Sequence, residues 1–202
     1  THGAGRVGAV RLARPLSNLI SPPTMFAAAG LALGVRAAPV WPGLGWGALY
    51  SAFVAGAPMI TVLLLLRSGH ISELHMSVTH ERHIPYLVAF LAGVAAWGML
   101  TLLNGPELLR CLAIVSAATL GALGVINAFW LISIHATAAA ATWLIATLVF
   151  GWTAALLLLP VALLICYVRL YLKRHSIAQV AGGLALGLSV VLLMRMFGCF
   201  VA

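Results

Sequence analysis

From Pro22 to the end, long apolar runs alternate with short polar breaks, and the runs have the length of membrane-crossing helices. The pattern predicts spans at about 24–40, 44–66, 85–103, 108–130, 136–150, 152–171 and 177–200. Each is near the ~20 residues that an α-helix needs to cross about 30 Å of hydrocarbon. Pro22-Pro23 opens the first, where a missing N–H is harmless. Pro39 and Pro42 mark one turn, Asn104-Gly105-Pro106 another and Gly151 a third. Pro58 and Pro160 fall inside spans and read as kinks that neighbouring helices accommodate. Ala181-Gly182-Gly183 and Gly187 give the last span a small-residue face for close packing. The expected fold is an all-α, polytopic transmembrane bundle of six to seven spans, since lipid offers no partner to an open strand edge.

Composition agrees with this reading. Hydrophobic residues make up 63% of the chain and charged residues 7%, against roughly 25% charged in a soluble domain. Seven spans use nearly all of the 202 residues, so no further soluble domain fits. Residues 1–15 form a basic, small-residue-rich segment without the apolar core and cleavage site of a signal peptide. They are expected to be a surface tail, with residues 16–202 as a single transmembrane domain. The three cysteines, Cys111, Cys166 and Cys199, sit in apolar runs without a paired motif. They read as small buried hydrophobes rather than a disulfide framework or a zinc site.

The net charge is +8, with three glutamates and no aspartate. The basic residues lie between apolar spans without a stripe of interleaved aromatics, which argues against nucleic acid. Membrane lipids and a phosphorylated lipid substrate are the expected partners.

The longest polar break, Arg67 to His83, holds four of the seven histidines. Ser133-Ile134-His135 forms a second island, and Arg169 to His175 a third. An even number of spans separates these islands, so all three reach the same membrane face. That face gathers Arg82, Ser133, His135, Arg169 and His175. Two guanidiniums can grip a phosphate bidentately. A hydroxyl and helix N-terminal amides can hold its other oxygens. Two imidazoles can supply a nucleophile and a proton donor. This is a metal-independent set for phosphoryl transfer to histidine, with no cofactor. Taken singly, each member has a plainer reading: Arg169 as a snorkelling arginine, Lys173 and Arg174 as headgroup contacts, His70 and His80 as solvated loop residues. His75, His80 and His83 with Glu73 or Glu81 also offer metal ligands, but in no recognised spacing.

Arginine, five residues, then histidine (Arg169 to His175) resembles the third signature of the type 2 phosphatidic acid phosphatase superfamily. Ser133 and His135 resemble its second, and His75, six residues, then Arg82 resemble its first. The resemblance covers about residues 20–190 and implies a role for each matched position. His175 would form the phosphohistidine and His135 would protonate the leaving oxygen. Arg82, Ser133, Arg169 and His75 would bind phosphate, and Gln179 would orient the nucleophile. His75 stands where the pattern has lysine, and Gln179 where it has aspartate. These departures resemble a divergent bacterial branch with Ile-Ser-x-His and His-x-x-x-Gln patterns. The implied activity is hydrolysis of a phosphomonoester or diphosphate on a lipid or isoprenoid. The alternative, motivated by His75 and Gln179, is a non-catalytic membrane subunit that binds lipid or pigment, as a homo-oligomer or within a larger membrane complex.

Orientation follows from charge. Arg6, Arg11, Arg14, Arg67, Arg82, Arg169, Lys173 and Arg174 fall on the site face, and Arg36, Arg110 and Arg195 on the other. By the positive-inside rule the site is expected to face the cytoplasm, in a bacterial inner membrane.

Overall fold

A computed structural model describes residues 15, 17–71 and 82–201. His75, His80, Glu73 and Glu81 lie outside the described residues, as do positions 1–14 of the tail. The described residues form helices and connecting turns, with no strand among them.

Among the described residues, seven helices of more than ten residues follow in chain order: α1 (Pro22–Ala37), α2 (Val40–Arg67), α3 (His83–Leu102), α4 (Glu107–Asn127), α5 (Ile134–Phe150), α6 (Trp152–Tyr171) and α7 (Ile177–Met196). Five of them, α2, α3, α4, α6 and α7, are long and apolar enough to cross a membrane, and α5 is a shorter apolar helix. Large apolar side chains face outward: Trp41 is 83% exposed, Trp152 78% and Leu157 71%. Only lipid makes such a surface stable. The chain is an integral membrane protein.

The helix ends have local causes. Ser21 precedes α1, and its N–H donates to Thr24 Oγ1 at 2.9 Å, while Pro22 opens the helix. Asn104, at φ 54°, reverses the chain between α3 and α4, and Gly151, at φ 79°, reverses it between α5 and α6. Pro58 does not sharply break α2. A π-helical turn spans Ala52–Gly56, and the Ala57 N–H reaches back to the Ala52 carbonyl. The wider turn just before the proline absorbs the misfit that its ring imposes on the regular i to i−4 ladder.

The helices pack as α1 on α2, α3 on α4, α5 on both α6 and α7, and α1 on α5. The α5–α7 contact uses the small-residue face read from the sequence. A Cβ on Gly183 would meet the Ser133 carbonyl, and one on Gly187 would meet the Thr137 carbonyl. The missing side chains let the N-terminal half of α7 lie directly on α5. Deeper in the bundle, fully buried Tyr50 and Ser116 satisfy each other through a 2.7 Å hydrogen bond.

One expectation is corrected. Cys111 and Cys199 are not separate buried thiols but form a disulfide, with Cα atoms 5.5 Å apart. It joins the N-terminal end of α4 to the chain just beyond α7. Cys166 is free.

Candidate functional site

Alternating helix directions bring the starts of α1, α3, α5 and α7 and the end of α6 to one end of the bundle. There they enclose a cavity of about 220 Å³. Arg82, His135, Arg169 and His175 all line it. Their positions span 94 residues of sequence (82 to 175, counting both ends), so only the fold unites them.

The surroundings favour an anion. Arg82 immediately precedes α3, His135 is the second residue of α5, and Ser21 and Pro22 at the start of α1 line the same space. The starts of α3 and α5 offer unpaired N–H groups and partial positive charge, whereas Pro22 and Pro23 supply no N–H at the first two positions of α1. Two guanidiniums add full charges, and no carboxylate is among the described residues lining the cavity.

Arg169 is 6% exposed, so its guanidinium does not snorkel. Its Nη1 donates to Ser17 Oγ at 3.1 Å. Its Nε is buried and has no hydrogen-bond partner among the described residues. A buried guanidinium with an unmet donor in a cavity wall is costly without an acceptor, and a bound anion provides one.

His175 sits between α6 and α7, outside both helices. Burial pushes its imidazole down to about 4, and the positive charges of Arg169 and Arg82 act in the same direction. The Leu131 carbonyl and the Gln179 side chain oppose this only in part. At neutral pH the ring is therefore uncharged, and a neutral imidazole is the nucleophilic form. Its Nδ1 is buried and makes no hydrogen bond of good geometry among the described residues.

Gln179 organises the turn that carries His175. Its Oε1 accepts from the Ser176 N–H at 2.8 Å, and its own N–H donates to Ser176 Oγ at 3.3 Å. This reciprocal cap fixes the start of α7. The Gln179 carbonyl also accepts from the Ser133 N–H at 3.1 Å, which ties the histidine turn to the start of α5.

Ser133 does not line the cavity. Its side chain is fully buried behind the cavity wall. There it caps α5 by accepting from the Ala136 N–H at 3.4 Å. His75, the remaining phosphate-binding expectation, lies outside the described residues. His70 pairs its Nδ1 with Ser68 Oγ at 2.8 Å on an exposed turn, and it does not line the cavity. No group of three potential metal ligands occurs among the described residues.

Sequence reading missed four polar cavity groups: Ser17, Asn18 and Ser21, which precede the first span, and Tyr86 on α3. Tyr86 accepts a hydrogen bond from Asn127 Nδ2 at 2.8 Å. Its position within an apolar run disguised it as core. A tyrosine four residues after an arginine does share a helix face with it, and that spacing was the available signal.

A second cavity, about 360 Å³ and almost wholly apolar, runs between α1, α5 and α6 past Ala28, Ala32, Ala139 and Ala162. A small pocket lined by Ile20, Leu164 and Val168 shares Ser17 with the polar cavity and Ile165 with the apolar one. Comparison with family models, curated proteins and solved structures gives no match.

Proposed function

We propose that this chain hydrolyses a phosphate ester or diphosphate on a lipid or isoprenoid, through a phosphohistidine, as the resemblance to the type 2 phosphatidic acid phosphatases implies. The observation that carries the reading is the convergence of two histidines and two arginines on one cavity at one end of an apolar bundle. In the first step neutral His175 attacks phosphorus while the bond from phosphorus to the lipid oxygen breaks. His135, as imidazolium, gives its proton to that leaving oxygen. Water, losing a proton to His135, then attacks the phosphohistidine, which releases inorganic phosphate and restores both rings. Arg82 and Arg169 hold the nonbridging oxygens and stabilise charge in both transition states. In this reading the Ser133 hydroxyl contributes by fixing α5 rather than by contacting phosphate.

The apolar cavity supports a lipid substrate over a water-soluble one. A head group held by the arginines would extend its hydrocarbon past Ser17 and Ile165 into the groove between α1 and α6. We read all seven helices as spans. The site then faces the cytoplasm by the charge distribution, and the disulfide at the opposite end supports the same orientation, because disulfides persist on the oxidising side of a membrane.

The test is phosphate release by purified protein across a panel of glycerolipid and isoprenoid phosphates. His175→Ala is expected to abolish release, and undiminished release would end the reading. A non-catalytic lipid- or pigment-binding subunit is the second reading. It is favoured by the engagement of Gln179 in a helix cap, where the family pattern has an aspartate. Vanadate separates the two readings, since only the enzyme should trap it on His175 as a transition-state mimic.

A further inference from the structure

Asn127 ends α4, is buried and reveals which way its hydrogen bonds run. The Ile132 N–H donates to Asn127 Oδ1 at 2.8 Å. A backbone N–H can only donate, so this atom is the amide oxygen and its neighbour is the NH₂ group. Nδ2 must then donate to the Tyr86 hydroxyl, 2.8 Å away. Arg82 lies beside the same hydroxyl, and a guanidinium carries donors alone. Both protein groups therefore address the lone pairs of the Tyr86 oxygen. No acceptor among the described residues takes its hydrogen, and Tyr86 lines the polar cavity with Arg82, Arg169 and His175.

We infer that Tyr86 is a phosphate-binding residue that donates its hydroxyl hydrogen to a nonbridging oxygen of the anion in this cavity. The inference rests on the phosphatase reading for the identity of the anion. It assigns a third donor to the site, placed one helical turn from Arg82. Asn127 is the positioning residue: it holds the phenol oxygen as an acceptor and so leaves the hydrogen directed at the ligand. A neutral donor is useful among two arginines, because it adds a hydrogen bond without further lowering the pKa of the His175 nucleophile.

The experiment is calorimetric titration of inorganic phosphate and vanadate into the purified full-length protein and its variants. Tyr86→Phe keeps the ring and removes the hydrogen. It is expected to weaken phosphate binding about tenfold, the usual effect of losing one hydrogen bond to a charged group. Tyr167→Phe, at a lipid-facing position, is expected to leave binding unchanged. If Tyr86 served only to tie α3 to the turn after α4, Tyr86→Phe would lower the melting temperature and leave phosphate affinity intact, and that result overturns the inference. Failure of the wild-type protein to bind either anion overturns it too. Should Tyr86→Phe not fold, 3-fluorotyrosine at position 86, a stronger donor, is expected to tighten binding; unchanged or weaker affinity counts against the inference. Anion binding that depends on Tyr86 without phosphate release from any lipid would refute the hydrolytic reading and leave the role of Tyr86 standing.

Discussion

Arg169 Nη1 donates a hydrogen bond to Ser17 Oγ at 3.1 Å, across a sequence separation of 152 residues. Both side chains are 6% exposed. The bond fixes one end of a planar cation and leaves its buried Nε without a partner among the described residues, on a side chain that lines the polar cavity.

This pairing separates the roles of the two residues. Ser17→Ala is expected to raise KM for a lipid phosphate by about three- to tenfold with little change in kcat, since one hydrogen bond that positions the guanidinium is lost. Arg169→Lys keeps the charge but removes the planar fork, and is expected to lower kcat/KM at least about a hundredfold. Steady-state kinetics on both variants checks this. Equal, small effects would mean that Arg169 is a structural cation.

The His175 ring is expected to titrate near 4 in the anion-free protein, against 6.5 for an ordinary histidine. Between these values the unfolded chain binds more protons than the folded one. The contribution of this group to stability is therefore complete above pH 6.5 and declines as pH falls towards 4. A bound phosphate dianion offsets the two arginines and should move the titration upward. Carbon-13 chemical shifts of labelled histidine, assigned with His175→Ala, measure both effects. Titration at or above the ordinary value without anion would contradict the burial argument.

The sequence made some of this legible and hid the rest for physical reasons. The bounds of α6 could be read because Gly151 on one side and polar residues after Tyr171 on the other interrupt a continuous apolar run. The gathering of Arg82, His135, Arg169 and His175 could be read because helix parity carries polar islands to one end. Ser133 was harder. A serine just before an apolar run signals both an anion ligand and an N-cap, and only coordinates show it turned towards Ala136 N–H. The Cys111–Cys199 link lies 88 residues apart in apolar surroundings, and pairing across that distance leaves no local pattern. Ser17 was invisible for the same reason: its partner lies at the other end of the chain.

The apolar groove gives an expectation that separates tail from head group. Ala32 and Ala162 line it away from the polar cavity. Ala32→Trp or Ala162→Trp fills the space without touching the arginines or histidines. Either variant is expected to raise KM for a long-chain lipid phosphate about tenfold or more. Hydrolysis of a short water-soluble phosphate ester should stay within about twofold of wild type, because uniform binding of a remote group is what is lost. Parallel losses on both substrates would place the tail elsewhere.

The disulfide makes orientation testable without assuming the chemistry of the site. Cys111 lies near the start of α4 and Cys199 just beyond α7, while His135 at the start of α5 and His175 just before α7 lie at the other end of the bundle. A disulfide forms and lasts where the compartment is oxidising, so this end should face outward and the histidines inward. The net distribution of arginine and lysine points the same way. Cys111 and Cys199 are both buried, so the label goes to an exposed position at the same end, Asn104 in the turn before α4. In intact bacterial cells, a membrane-impermeant maleimide is expected to label a single cysteine placed there. A single cysteine placed at Lys173, beside the site, should react only after the membrane is opened. Labelling at 173 in intact cells would invert the protein. It would also place the polar cavity on the outer surface.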